Sequence, residues 1–268
     1  VQGIDAKQAK QAKQANQANQ THRIQPLSGT VALVTGAGSG LGEATASAFA
    51  AAGGSVACVD VNERAAIRTC QQLSVWDVPS LALGCDVSDA AQVNRTVETA
   101  VNRLGRLDFL VNCAAVDFTY SIEDLTIEQW DTELAVNLRG PFLLAKAAFP
   151  IMRAQGGGHI VNIASTAALR AWPNASAYHA SKWGVLGFSR ALGTEGRQYG
   201  IRVTTVIPGG MRTHFFDRFA EQGIPLPDAS NLQDPAQVAQ VILMAVTMPP
   251  QSVIQEILVT PPTETSWP

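Results

Sequence analysis

The sequence predicts an α/β domain: a doubly wound parallel sheet of about seven strands flanked by helices. Three observations carry that reading. Short β-branched runs alternate with longer amphipathic stretches from Leu27 onward, the signature of repeated βαβ units with right-handed crossovers. Strand runs such as Val31-Ala32-Leu33-Val34 and Phe109-Leu110-Val111 are apolar throughout, as strands covered on both faces must be. With 268 residues, 46% hydrophobic and 15% charged, the chain has the composition of a compact folded domain.

Residues 1–25 stand apart from the rest. Gln8 to Gln20 is a three-residue alternation of Gln, Ala, Lys and Asn. It favours helix but offers no large apolar side chain to dock. It reads as a frayed or disordered low-complexity extension, leaving 26–268 as a single domain. Strands are expected at 30–35, 55–60, 80–85, 107–112, 159–164, 201–207 and 254–259. Helices are expected at 40–53, 62–74, 89–104, 126–154, 174–199 and 235–248, the fourth interrupted near Gly140-Pro141 because proline cannot continue the helical ladder. In such a sheet ligands bind beyond the carboxyl ends of the strands, where the strand order reverses.

The first strand runs into Thr35-Gly36-Ala37-Gly38-Ser39-Gly40-Leu41-Gly42, which opens the first helix. Glycines there permit a tight turn and close backbone approach to phosphate, and the helix start holds a pyrophosphate. The spacing is Gly36-x-x-x-Gly40-x-Gly42 and not the G-x-G-x-x-G fingerprint. Asp60 closes the second strand, where a carboxylate accepts hydrogen bonds from adenosine ribose hydroxyls and repels a ribose 2′-phosphate. Neither Ser39 nor Val61 supplies an offsetting cation, although Arg64 is near in sequence, so NAD(H) is favoured over NADP(H). The rival role for Asp60 is capping the next helix. Asp86-Val87 at the third strand end is expected to cap a helix and also to meet adenine.

Tyr178 and Lys182 lie four residues apart and share one face of the 174–199 helix. A fixed ammonium there is expected to lower the phenol pKa from its ordinary value of about 10 toward the working range. Ser165, from a separate strand end, is placed to hydrogen-bond an oxygen held near the phenol. The trio suits proton exchange with a hydroxyl or carbonyl group.

Thr35-Gly36-x-x-x-Gly40-x-Gly42, Asp60, Asp86, Asn112, Asn137, Ser165, Tyr178-x-x-x-Lys182 and Pro208-Gly209 occur in the order and spacing of the short-chain dehydrogenase/reductase family, which the chain resembles over about residues 27–260. The resemblance implies a Rossmann-like domain that transfers hydride between a secondary alcohol or ketone and a nicotinamide. It implies Tyr178 as general acid/base, Lys182 as the group that tunes it and holds the nicotinamide ribose, and Ser165 as the anchor of the substrate oxygen. Asn137 joins them by distorting its helix and binding a water that leads from the lysine to solvent. For the cofactor it implies Gly36, Ser39, Gly40, Leu41 and Gly42 at the phosphates, and Asp60, Val61, Asp86 and Val87 at the adenosine. Asn112 and Ala114 are implied along the next wall, with Tyr178, Lys182, Pro208, Gly209, Met211 and Thr213 about the nicotinamide.

The chain departs from the family after the fourth strand, where Asn112-Cys113-Ala114-Ala115 replaces Asn-Asn-Ala-Gly. Were positive φ required at the last position, Ala115 would cost about 1 kcal/mol. Substrate contacts are expected from Val116, Ser165, Ala167, Trp172 and Tyr178, with Asp117, Phe118, Leu169, His214, Phe215, Phe216 and Phe219 as further candidates. Residues 210–234, which contain Gly210, Gly223, Pro225 and Pro227, read as a lid over that pocket.

Other classes are disfavoured. A net charge of −3 offers no footprint for nucleic acid. No apolar run is long enough to span a bilayer and no signal-peptide core is evident, so the cytoplasm is the expected compartment. Cys58, Cys70, Cys85 and Cys113 lack metal-ligand spacing and read as reduced thiols, and no metal is expected. By resemblance the long helices join subunits in a homodimer or homotetramer. Two alternatives stay open: a 3-oxoacyl thioester reductase using NADP(H), and a catalytically silent NAD-binding regulator.

Overall fold

The computed structural model describes residues 25–217, 219, 224 and 228–264. The Gln/Ala-rich run 1–24 and the expected lid residues Gly223, Pro225 and Pro227 lie outside the described residues. Seven strands form one parallel sheet: β1 (Val31–Thr35), β2 (Ser55–Asp60), β3 (Ser80–Gly84), β4 (Phe109–Asn112), β5 (Gly158–Ile163), β6 (Ile201–Pro208) and β7 (Glu256–Val259). Their spatial order is β3-β2-β1-β4-β5-β6-β7. The order reverses between β1 and β4, which opens a crevice beyond the ends of those two strands.

Pleating sends alternate residues of each strand into opposite helix layers. In β1, Ala32 and Val34 join one buried cluster. It is completed by α1 (Gly40–Ala51), α2 (Glu63–Leu73) and α7 (Pro235–Val246). Leu33 joins the other, packed by α3 (Ala90–Leu104), α5 (Gly140–Ala154) and α6 (Ser176–Gly196). Phe49 of α1 packs edge-on against Phe109 of β4, ring centroids 5.5 Å apart, which fixes the first helix over the switch point.

Helix starts follow local chemistry. Asn62 caps α2 by accepting from the Ala65 N–H, and Asp89 caps α3 by accepting from Ala91 and Gln92. Neither Asp60 nor Asp86 is the cap: Asp86 instead accepts from the N–H and hydroxyl of Ser88. Thr126 and Gln129 form a reciprocal capping box at the start of α4 (Ile127–Leu134). The single helix expected over 126–154 divides at Ala135–Arg139, a π-helical turn between α4 and α5. Pro141 has no N–H to offer the carbonyl of Asn137 four residues earlier, so the α-helical ladder cannot pass through that point. The interruption centres on Asn137 and not on the Gly-Pro step itself.

Candidate active site

The glycine turn after β1 is built by contact. Gly36 and Gly40 adopt φ of +63° and +54°, a region open to glycine. A Cβ on Gly36 would lie 3.0 Å from the Ala114 backbone, so the turn lies directly on the exit of β4. Thr35 locks that exit, its Oγ1 accepting from the N–H groups of Cys113 at 3.1 Å and Ala114 at 3.2 Å. Ser39 precedes α1 in extended conformation and makes no side-chain cap bond. The start of α1 therefore opens onto a cavity of about 730 Å³, lined there by Gly36, Ser39, Gly40, Leu41 and Gly42.

Asp60 reaches the same cavity from the end of β2. Its Oδ2 accepts from the Gly38 N–H at 2.9 Å and its Oδ1 from the Asn62 N–H at 2.9 Å. Two backbone donors thus hold the carboxylate against the glycine turn, beside the exposed Val61. Asp86 and Val87 follow along the wall, whereas Arg64 does not line it.

On the far side α6 presents Tyr178 and Lys182 to the cavity, and the end of β5 presents Ser165. Lys182 is buried, its Nζ donating to the Ile163 carbonyl at 3.0 Å and standing 5.5 Å from the Tyr178 ring centroid. Ser165 is hydrogen-bonded to the Tyr178 hydroxyl and is itself set by the Ala167 N–H at 3.1 Å. The electrostatics differ from the expectation of a lowered phenol pKa. Burial pushes Tyr178 up, and the fields of Asp117 and Glu133 add to that, against the downward pull of the Ser165 hydroxyl. Burial takes Lys182 down to about 8, so its charge is held less firmly than a surface lysine's.

Pro208, Gly209, Met211 and Thr213 line the cavity beyond β6. Gln233 pins this segment, donating to the carbonyls of Gly210 at 3.0 Å and Val259 at 3.0 Å. Phe215 packs on Tyr178 with ring centroids 5.6 Å apart, and Phe216 and Phe219 continue the stack. Val116 and Trp172 complete the substrate-side wall.

Two expected contacts, Asn112 and Ala167, are placed elsewhere. Asn112 points into the interior, donating to Asn162 Oδ1 at 2.7 Å, while Asn162 donates to Ser189 at 2.9 Å. Ala167 is wholly buried and acts only through its backbone on Ser165. Asn137 stands behind the wall: its amide exchanges two 2.8 Å hydrogen bonds with the Val116 backbone and donates to Ser181 at 3.2 Å. It fixes the loop after β4 and does not line the cavity. Phe118, Leu169 and Phe219 are likewise absent from the lining. Ala115 lines it without positive φ, since the non-glycine residues with that geometry among the described residues are Asp77 and Asn174. The alanine therefore carries no left-handed strain.

The sequence reading passed over Cys113 as a wall residue, and also Glu264, whose carboxylate accepts from the Gly210 N–H at 3.4 Å. It passed over Glu133 as well, a fully buried carboxyl in α4. The signal was present: Glu133, Asn137 and Gly140 recur at the four- and three-residue spacing of one buried helix face. Burial and the neighbouring Asp117 carboxyl raise Glu133 to about 8. A carboxyl whose folded pKa is raised binds a proton that unfolding releases, so stability falls as pH climbs from the ordinary 4.5 toward 8. Urea denaturation between pH 5 and 8 should show wild type losing on the order of 1 kcal/mol per pH unit relative to Glu133→Gln. A difference between the two proteins that does not change with pH would contradict this.

A doubly wound parallel sheet with a glycine turn at its switch point, and a cavity running from that turn to Tyr178, defines a nucleotide-binding α/β protein. Residues 30–223 match the short chain dehydrogenase family. D-threitol dehydrogenase of Mycolicibacterium smegmatis is 44% identical over 182 residues, covering 68% of this chain and 70% of that protein. A metagenomic short-chain oxidoreductase solved with NADP superposes with TM-score 0.77 at 30% identity, covering 89% and 100% of the two chains. A short-chain dehydrogenase from Mycobacterium paratuberculosis solved with NAD gives 0.78 at 26% identity, covering 87% and 97%. The chain belongs to the short-chain dehydrogenase/reductase family, oxidoreductases that bind NAD or NADP. No helix among the described residues is long and apolar enough to cross a membrane.

Proposed function

We propose that the protein interconverts a secondary alcohol and its ketone with NAD(H) as the redox partner. The single observation that carries the proposal is one continuous cavity with the glycine turn and Asp60 at one end and Ser165, Tyr178 and Lys182 at the other. Its volume of about 730 Å³ falls in the range of cofactor and ligand sites, and the glycine turn leaves no Cβ between backbone and ligand. Gly36, Ser39, Gly40, Leu41 and Gly42 would hold the phosphates, Asp60 the adenosine ribose, and Lys182, Pro208, Gly209, Met211 and Thr213 the nicotinamide end. Bound there, NAD(H) would supply the hydride-accepting and hydride-donating chemistry. Tyr178 takes the hydroxyl proton in oxidation and returns it in reduction. Ser165 steadies both the phenol and the substrate oxygen, and Asn137 keeps the Val116 loop in place. The relative named for D-threitol supports an alcohol substrate. Phe142 and Trp183 on the outer faces of α5 and α6 are exposed, which supports association of those helices between copies.

The choice of NAD(H) rests on Asp60, whose carboxylate is clamped at the ribose end with no cation among the lining residues beside it. The test is reduced-nicotinamide absorbance with a secondary-alcohol panel and each oxidised cofactor. Wild type should turn over with NAD at least roughly tenfold better than with NADP, the scale of one charge-assisted contact. Asp60→Ala should raise the KM for NAD and narrow the gap. Preference of the wild type for NADP would refute the role given to Asp60, and absence of turnover with both cofactors would refute the enzyme reading.

A further inference from the structure

We infer that Asp117, backed by Glu133, is a specificity-determining residue that accepts a hydrogen bond from a second hydroxyl of the substrate, so that diols and polyols are preferred over simple secondary alcohols. The inference rests on the alcohol–ketone reading above. Asp117 lies on the cavity wall shared by Ser165, Tyr178 and Lys182, yet the chemistry assigned to that trio gives it no task. Thr119 Oγ1 donates to its Oδ2 at 2.8 Å, which orients the carboxylate. Behind it stands Glu133, wholly buried, its carboxyl raised first by burial and then by the neighbouring Asp117. Two neighbouring carboxyls taken out of water do not readily ionise together, because each charge raises the cost of the other. Glu133, raised by burial and by Asp117 to about 8, keeps its proton near neutral pH and so sets no second charge beside the wall carboxyl.

Asp117 acts on both Tyr178 and Lys182 and lines one cavity with them, so one small substrate can meet it and the phenol together. Its chemistry selects the substrate class. One carboxylate charge here is balanced by one buried ammonium, Lys182, which leaves little net field to draw in a cationic substrate. A substrate carboxylate would meet Asp117 in repulsion. A neutral hydroxyl is a donor that suits a charged acceptor in a site screened from water. The aromatic and apolar remainder of the wall, Val116, Trp172, Phe215 and Phe216, packs the carbon skeleton without competing for that bond. Glu133 acts as a positioning residue, since it touches the pocket only through Asp117.

The experiment compares 2,3-butanediol with 2-butanol, two substrates that differ by one hydroxyl, with NAD and purified full-length protein. Wild type should show a kcat/KM ratio favouring the diol by roughly 10- to 100-fold, the worth of a hydrogen bond to a charged acceptor. Asp117→Ala should bring that ratio down toward one. Asp117→Asn keeps the shape of the side chain and removes its charge, and should lower the ratio several-fold even if the alanine variant folds poorly. Glu133→Gln retains a donor toward Asp117 and should keep most of the preference. Equal turnover of both alcohols by wild type, or a diol preference unchanged in Asp117→Asn, overturns the inference and leaves the alcohol–ketone reading standing. Absence of turnover of either alcohol overturns both.

Discussion

Tyr178→Phe should lose roughly 100- to 10,000-fold in kcat, the usual contribution of a positioned general acid/base, while NAD affinity changes little. The geometry makes this substitution a clean one. The ring of Tyr178 is held by Phe215 at 5.6 Å between centroids, and phenylalanine preserves that packing. Lys182 keeps its bond to the Ile163 carbonyl at 3.0 Å, which does not involve the phenol. What disappears is the hydroxyl and the Ser165 hydrogen bond to it. Single-turnover measurements under saturating cofactor, together with fluorescence titration of NAD, separate chemistry from binding. Near-normal turnover in the phenylalanine variant would show that another group moves the proton. Loss of cofactor binding in step with activity would show that the phenol serves the nucleotide and not the substrate.

The expected tuning of that phenol shows where sequence and structure part. The four-residue interval puts Tyr178 and Lys182 on one helix face, a local fact, and the family resemblance adds Ser165 from a strand end. The strands were legible for the same reason: runs covered on both faces are apolar throughout, and β2 ends at Asp60 as expected. The sign of the electrostatics was not local. It depends on how deeply the hydroxyl sits and on Asp117 and Glu133, which approach from the loop after β4 and from α4. Nothing in the Tyr-x-x-x-Lys spacing reports those neighbours.

Asn137 and Asn112 divide along the same line. The interruption of the 126–154 helix was readable from Pro141, whose missing N–H acts four residues back on Asn137. The direction of the Asn137 side chain, toward Val116 and Ser181, required the tertiary fold. The family resemblance puts Asn112 at the cofactor wall. Strand alternation turns it instead toward Asn162 and Ser189. A one-residue change of face separates a cavity wall from a buried network.

Gly42→Ala should reduce NAD affinity on the order of 100-fold, the scale of an ångström-level misplacement at a functional site. A Cβ on Gly42 would lie 2.1 Å from the Gly36 carbonyl oxygen, 2.5 Å from its carbonyl carbon and 2.9 Å from the Ala37 nitrogen. Each of these is backbone, so no side chain can swing aside. Gly36 cannot retreat either, since its own Cβ direction already faces the Ala114 backbone at 3.0 Å. Ala114 is in turn tied to Thr35 by a 3.2 Å hydrogen bond. The strain must therefore move the start of α1 away from the turn, and with it the backbone that lines the phosphate end of the cavity. Stability should fall by about 1–3 kcal/mol, as in overpacked interiors. Gly193→Ala is the matched control: that glycine lies within α6, facing β6, where a Cβ would make only an ordinary 3.5 Å contact with Val203. There the same added methyl should stabilise by roughly 0.5–1 kcal/mol through helix propensity and leave cofactor binding intact. Calorimetric NAD titration of the two variants decides the matter, because equal affinities would mean that close packing of Gly42 on Gly36 does not shape the nucleotide site.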